Sequence, residues 1–181
     1  MPADKPPDLD RWIRAPALRV SHQRETGVAV DELWHAAQSV RVNDTPVLGR
    51  LVRWRIPGLA SGVRFDQLFR EPPFMVLEEG DGWLVSGLVG RIWTLRRDYP
   101  RLQSADEFHD WSQRGTARVV IANWVHARPS GGAVIGAEAR VQGIGAQGRI
   151  GVGAVRPVVR AFQHLIASEG IAAAVRRAER G

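Results

Sequence analysis

The sequence predicts an α+β protein in which helices gather on one side of an antiparallel sheet. Two pairs of apolar, partly alternating segments, each joined by a turn that glycine favours, predict the sheet. Apolar residues that recur at helical spacing near the end of the chain predict a long terminal helix. The apolar face of a sheet must be covered, and this helix is the segment suited to cover it.

The first half of the chain predicts one strand followed by helices. Residues 18–30 alternate in part between apolar and polar side chains, which is typical of a strand. Asp31 is a suitable helix N-cap, and the apolar residues after it recur at helical spacing. A second short helix is predicted over residues 47–56, whereas residues 64–69 remain ambiguous.

The second half predicts two β-hairpins with a short helix between them. The first hairpin turns at Asp81 and Gly82, a dipeptide that supplies the positive φ angles of a tight turn. The second hairpin spans residues 116–142 and turns at Pro-Ser-Gly-Gly. Between the hairpins, Ser104 is placed to cap a helix, and Glu107 follows three residues later as in a capping box.

A glycine-rich junction leads into the terminal helix, which is predicted over residues 154–179. Gly143, Gly145 and Gly148 match the spacing of a dinucleotide-binding loop. Such a site needs a further parallel strand whose acidic residue holds the ribose, but the sequence after Gly148 looks helical to its end. We therefore predict no dinucleotide site, and we interpret residues 143–153 as a flexible bend that lets backbone pass close over the sheet.

Composition excludes several classes of function. The chain has 181 residues and no cysteine, which excludes disulfides, thiolate metal sites and a cysteine nucleophile. The histidines lack the spacing of metal ligands, so no metal site is expected, and no cofactor is expected either. No Gly-x-Ser-x-Gly motif occurs, so a serine hydrolase would lack its usual signature. No apolar signal segment and no apolar run of roughly 20 residues is present, which predicts a cytoplasmic protein without a membrane span. The length suits a single domain over residues 17–181, after a flexible Pro- and Asp-rich lead over residues 1–16.

The formal net charge of +6 allows two interpretations. A basic protein can bind nucleic acid or another anionic partner. The arginines are nevertheless spread along the chain, no block of about five or six like charges occurs, and aromatic residues do not cluster beside them. This distribution disfavours nucleic acid as a partner and is equally explained by codon usage.

Two longer stretches carry a resemblance to a known family. LFREPPFMVLEEGDGWLVSGLVGRIW is similar to a Leu…Pro…Glu…Gly-x-x-Gly-x-x-Trp pattern, and SADEFHDW, GTARVVIANWVHA and AEARV are similar to a Ser-x-x-x-Phe…Gly-x-Ala…Phe-x-Val…Glu-Thr-Arg-Val run. Ala139 and Trp124 depart from the second pattern, which has threonine and phenylalanine there. Both patterns are those of bacterial members of the START-like (SRPBCC) superfamily, which includes polyketide cyclases, birch-pollen-type allergens and lipid-transfer domains. The resemblance runs from about Leu18 to Arg177 and implies the helix-grip fold, a curved antiparallel β-sheet wrapped around a long C-terminal α-helix.

The resemblance also implies an apolar cavity between the sheet and the terminal helix. The predicted function is therefore the binding or transport of a small apolar molecule, which is lipid-like, a polyketide or aromatic. A polyketide cyclase-like or aromatase-like enzyme is the alternative, and a basic partner-binding protein without a ligand is a second alternative. The sequence leaves open whether the protein is an enzyme and whether it forms oligomers.

The candidate ligand-binding residues depend on which face of the second hairpin points inward. If one face does, His126, Glu138 and Arg140 can orient a ligand or move a proton. If the other does, these side chains form ion pairs towards solvent, and Asn123 is the polar group of an apolar pocket. The second face is the more apolar, which favours Asn123. Taken from both faces, from the preceding hairpin and from the terminal helix, the candidates are Trp93, Asn123, Trp124, His126, Glu138, Arg140 and Phe162.

Overall fold

The computed structural model describes residues 5–47, 49–50, 62–94 and 99–180, and in the last range it leaves the side chains of residues 158 and 160–167 undescribed. The strands form one five-stranded antiparallel sheet in the order β1-β5-β4-β3-β2. Their bounds are β1 Leu18–Thr26, β2 Met75–Gly80, β3 Trp83–Gly90, β4 Thr116–Ala127 and β5 Ala133–Ile144. The predicted α+β class is confirmed.

The α-helices of the described ranges are α1 (Val30–Ser39), α2 (Phe65–Arg70), α3 (Ala105–Asp110) and α4 (Gly145–Ala178). Ala29 occupies the N-cap position of α1 and makes no side-chain hydrogen bond to the helix. The predicted cap, Asp31, lies instead in the first turn, where a negative charge suits the helix dipole. Helix α2 resolves the segment that the sequence left ambiguous. The helix predicted over residues 47–56 lies mostly outside the described residues.

Different parts of the chain cover the two faces of the sheet. Helices α1, α2 and α4 pack over the odd-numbered residues of β4 and β5, such as Val125 and Ile135. We call this side the helix face. The N-terminal segment and α3 pack over the even-numbered residues of β4, such as Val120 and Trp124. We call that side the N-terminal face.

The N-terminal segment differs from the flexible lead that the sequence predicts. Leu9, Trp12 and Ile13 are 2%, 7% and 1% exposed and belong to the core of the N-terminal face. Leu9 opens a short 3-10 helix that Asp8 caps through a hydrogen bond from the Asp10 backbone N–H. Leu9, Trp12 and Ile13 have the i, i+3, i+4 spacing of a helix face, but three apolar residues in a short segment rich in proline and aspartate did not suffice to predict this packing.

Both hairpins and the capped helix α3 are confirmed. Gly82 has a φ of 84°, so the first hairpin turn needs the left-handed conformation that glycine adopts freely. The Ser104 hydroxyl accepts a hydrogen bond from the Glu107 backbone N–H at 3.1 Å. The Glu107 carboxylate accepts one from the Gln103 backbone N–H at 2.6 Å, one residue earlier than in a capping box.

The terminal helix begins at Gly145, directly after β5, and not at residue 154 as predicted. The glycine-rich junction is therefore helical, and the prediction of a flexible bend was wrong. Pro157, expected in the first turn, lies inside the helix, and α4 continues through Gly170 without the predicted break.

Close backbone packing explains the glycines at this junction. A Cβ on Gly148 would lie 2.4 Å from the Thr116 carbonyl oxygen, and a Cβ on Gly143 would lie 2.4 Å from the Gly148 carbonyl oxygen. Neither position has room for a side chain, so the close approach predicted for this segment is confirmed. A dinucleotide loop requires a parallel strand after its helix, and the described sheet is antiparallel throughout. The glycines of this junction therefore do not form such a loop.

Candidate functional site

A cavity of about 420 Å³ lies on the helix face, between the sheet and helices α1, α2 and α4. Ligand sites in proteins commonly have volumes of about 300–1,000 Å³. The floor of the cavity is the middle of β4 and β5, formed by Ile121, Asn123, Ala137 and Ala139. The volume of this cavity falls within that range.

The burial pattern of β4 and β5 marks the floor independently. Val125 and Ile135 are buried on one side of it, and Val119 and Val141 are buried on the other side. The floor residues between them are half-buried, although they lie on two adjacent interior strands of the sheet. Two packed cores therefore flank a stretch of sheet that no described side chain fully covers.

Three aromatic residues form a row along the cavity, which we call the Phe row: Phe65 and Phe69 from α2, and Phe74 before β2. The rings of Phe65 and Phe69 are stacked with centroids 6.3 Å apart, and those of Phe69 and Phe74 meet edge to face at 5.2 Å. Phe65 and Phe69 lie on one side of α2 because residues four apart in a helix are neighbours. Trp34 of α1 adds a fourth ring to the lining.

Ion pairs fix the orientation of α2. The guanidinium of Arg70 donates hydrogen bonds to the Asp66 carboxylate at 3.0 Å and to the Glu79 carboxylate at 2.7 Å. Burial would lower the pKa of Arg70, but these hydrogen bonds outweigh burial and raise it. The helix that presents the Phe row is thus tied to β2, where Glu79 lies.

Helix α4 passes over the cavity at Gly170. This glycine lines the cavity, and a Cβ placed on it would meet no heavy atom within 4 Å. A glycine in the interior of a helix costs roughly 0.5–1 kcal/mol relative to alanine. The missing side chain therefore leaves space in the cavity at a cost in helix stability.

The Asn123 carboxamide is the polar group at the centre of the floor. Its cross-strand neighbours on the helix face are Leu84 and Ala137, neither of which has a polar side chain. Within the described ranges the carboxamide has no hydrogen-bond partner. Since an amide offers two donor hydrogens and an acceptor oxygen, Asn123 can hydrogen-bond to a bound molecule.

The structure places the side chains of four candidate residues on the N-terminal face, away from the cavity. Trp124 packs its ring over Gly136, where a Cβ would lie 2.5 Å from the ring. His126 is an even-numbered residue of β4, and its Nδ1 is buried without a partner in the described part of the chain. Glu138 and Arg140 are even-numbered residues of β5. Trp124 and Glu138 still contribute to the cavity floor, and we attribute this to their backbone atoms.

Glu138 and Arg140 form a buried ionic network and not the solvent-exposed pair expected for this face. Arg140 Nε donates to Glu138 Oε1 at 2.5 Å, and Arg140 Nη1 donates to the Ile13 carbonyl oxygen at 2.8 Å and to the Asp10 carboxylate. Arg19 donates to the second oxygen of Glu138 at 2.8 Å. Glu138 and Arg140 are buried because the N-terminal segment covers them, and their hydrogen bonds hold that segment on the sheet, whereas Arg19 and Asp10 at the ends of the network are exposed.

This network gives folding stability a dependence on pH. The hydrogen bond from Arg140 lowers the pKa of Asp10, and burial, which acts in the opposite direction, does not cancel it. The unfolded pKa of an aspartate is about 3.9, so the stability that Asp10 contributes is fully present above that pH and is lost as the pH falls towards the lower folded value.

We therefore expect Asp10→Asn to lower the free energy of unfolding at pH 7 but to have less effect at pH 3. Urea denaturation of wild type and variant at both pH values measures the two differences. An equal difference at pH 7 and pH 3 would show that the ionised carboxylate is not what stabilises the segment.

Two further candidates have other positions. Trp93 lies in the turn after β3 and not on a strand, and its ring packs against the start of α4, where a Cβ on Gly151 would lie 2.2 Å from it. It belongs to the core around Val152 and is not part of the cavity lining as described. Phe162 lies in α4, but its side chain is outside the described residues.

Sequence reasoning therefore placed Asn123 on the cavity face and missed the Phe row, Trp34 and Gly170. The spacing of Phe65 and Phe69 is a helical signal that a firmer assignment of residues 64–69 would have used. Within the described ranges, no helix is long and apolar enough to cross a membrane, and no three potential ligand residues come together as a metal site.

Comparison with known proteins adds little. No protein-family model and no curated protein matches this chain. A solved structure of a hypothetical protein from Helicobacter pylori aligns over 95% of this chain and 96% of that one, with 10% identity and a TM-score of 0.39. A likeness of this size supports no conclusion about function.

Proposed function

We propose that the protein binds or transports a small apolar molecule in the cavity between the sheet and α4. One observation carries this proposal: two interior strands of the sheet, β4 and β5, carry a floor of mostly small and apolar residues that is left half-covered. A protein with a purely structural core gains stability by filling such space, since cavities cost stability in proportion to their volume. Ala137, Ala139 and Gly170 keep the space open.

The proposal includes the helix-grip arrangement that the START-like resemblance implies. Its support is the packing of α4 against β1, β4 and β5 and the position of the cavity between helix and sheet. In this arrangement a terminal helix closes over the concave side of a sheet, so a ligand lies between them.

The alternative of a cyclase-like or aromatase-like enzyme has less support. It assigns the chemistry to Asn123, His126, Glu138 and Arg140, and of these Asn123 alone has its side chain on the cavity side of the sheet. A carboxamide is neither a general acid nor a general base at neutral pH, so it can position a substrate but does not take its proton. No described feature favours the second alternative, a basic partner-binding protein without a ligand.

We expect Gly170→Leu to abolish ligand binding without lowering stability. The added side chain would project into the cavity, because Gly170 lines the cavity and a Cβ at this position meets no heavy atom within 4 Å. Glycine is about 0.8–1 kcal/mol less favourable than leucine-like helix formers, so the helix itself is stabilised. Fluorescence titration with N-phenyl-1-naphthylamine, a neutral apolar probe, should show at least a roughly tenfold weaker affinity, which is about 1.4 kcal/mol.

Gly153→Leu is the matched control. Gly153 lies in the same helix, is exposed, and has the same open surroundings for a Cβ. The control should stabilise α4 similarly and keep the wild-type affinity. Loss of affinity in both variants, or in neither, would contradict the proposed site, and so would a lack of saturable binding by the wild type.

A further inference from the structure

We infer that the ligand is a neutral, flat ring system that carries one hydroxyl or carbonyl oxygen, and not a flexible acyl chain. This inference rests on the proposed function and narrows it to one class of molecule. Three features carry it: the Phe row, the short side chains of the sheet and α4, and the Asn123 carboxamide.

The Phe row presents ring faces and edges to the cavity. Phe69 is stacked on Phe65 and meets Phe74 edge to face, so the three rings support one another in fixed orientations. Aromatic pairs attract each other beyond what their buried area contributes, in offset-stacked and edge-to-face geometries. A ligand ring gains this attraction from the row, whereas an alkyl chain gains only its buried area.

Part of the cavity floor and of the overlying helix is smooth. Ala137 and Ala139 on the floor and Gly170 and Ala174 on α4 contribute side chains no longer than a methyl group. A flat ring system can lie against such surfaces over its whole area. A rigid ligand also loses little conformational freedom on binding, whereas an acyl chain must order each of its rotatable bonds.

Asn123 determines the polar part of the ligand. Its carboxamide faces Leu84 and Ala137 across the strands and has no partner among the described residues, so a ligand oxygen at the floor would satisfy it. A site built to hydrogen-bond one group discriminates against analogues that lack the group, because its own polar atoms are then left unpaired. An ionised group costs far more to bury than one amide returns, which favours a neutral ligand.

Isothermal titration calorimetry with three probes tests the inference: 2-naphthol, naphthalene and 1-decanol. The wild type should bind 2-naphthol at least about tenfold more tightly than either of the others, which is about 1.4 kcal/mol. Asn123→Leu should lower the affinity for 2-naphthol to the value for naphthalene, and the affinity for naphthalene should stay the same. Phe69→Leu should lower the affinity for 2-naphthol and for naphthalene. Its affinity for 1-decanol should stay the same, which would show that the variant is folded.

The outcomes separate the inference from the proposed function. Binding of 1-decanol as tight as that of 2-naphthol overturns the ring inference and leaves an apolar-ligand site in place. Equal affinity of 2-naphthol for wild type and Asn123→Leu overturns the role of Asn123. If none of the three probes binds and N-phenyl-1-naphthylamine does not bind either, the proposed function itself is contradicted.

Discussion

Replacing Arg140 with methionine is expected to lower the free energy of unfolding by about 3 kcal/mol. Breaking a buried ion pair by removing one partner typically costs about 3–5 kcal/mol, because the other charge is left buried. The side chains of Arg140 and Glu138 are each 9% exposed, so this cost applies. Arg19 still contacts Glu138 from a more exposed position, which places the expected value at the lower end.

Two controls accompany this variant in urea denaturation. Arg128→Met breaks the pair with Glu25, whose side chain is 66% exposed, and should cost no more than about 1 kcal/mol. The double variant Glu138→Met/Arg140→Met should recover much of the loss, because it leaves no buried charge unpaired. Arg19 and Asp10 lose their partners in it, but their side chains are more than half exposed. Equal costs for Arg140→Met and Arg128→Met would show that the network does not hold the N-terminal segment on the sheet.

Gly148→Ala and Gly153→Ala should change stability in opposite directions, although both glycines lie in α4. A Cβ on Gly148 would lie 2.4 Å from the Thr116 carbonyl oxygen, so backbone must move, and overpacking of this kind costs about 1–3 kcal/mol or more. A Cβ on Gly153 meets nothing within 4 Å, so alanine there should stabilise the helix by about 1 kcal/mol.

Thermal and urea unfolding of the two alanine variants measure this difference. Intrinsic helix propensity changes equally in both, so the difference between them isolates the contact with β4. If Gly148→Ala were as stable as Gly153→Ala, the close passage of α4 over the sheet would be contradicted. The position of α4 above the cavity would then be contradicted as well.

The parts of the fold that local chemistry controls could be predicted from the sequence. The Asp81-Gly82 turn needs a positive φ, and the Ser104 cap needs a short hydroxyl side chain, so single residues indicated both. The side of the sheet on which Asn123 lies followed from the period-two alternation of β4 and β5. These signals extend over a few residues and depend little on the rest of the chain.

The N-terminal face could not be predicted in this way. The alternation of β5 placed Glu138 and Arg140 on one face, but no local signal shows that residues distant in sequence cover it. The pairing of Arg140 with Asp10 and Ile13 arises only when the N-terminal segment packs on the sheet. The sequence therefore allowed either a solvent-exposed pair or a pair that lines the pocket, whereas the structure places both residues under the N-terminal segment.

The cavity walls were missed for a related reason. The Phe row joins two residues of α2 to Phe74, which lies outside any helix, so no single periodicity contains it. Gly170 was interpreted as a helix break because glycine has low helix propensity, whereas tertiary packing keeps α4 continuous there. The low helix propensity of the glycines from Gly145 onward likewise led to a predicted helix start at residue 154, which is nine residues too late.

Alanine-methyl NMR during titration with 2-naphthol tests the proposed cavity site most directly. Ala137 and Ala139 lie on the cavity floor, whereas Ala122 lies on the N-terminal face and is 0% exposed. We predict saturable shifts of the Ala137 and Ala139 methyl signals and an unchanged Ala122 signal. Shifts confined to Ala122, or no saturable shift at any of the three methyl groups, would contradict a ligand site between the sheet and α4.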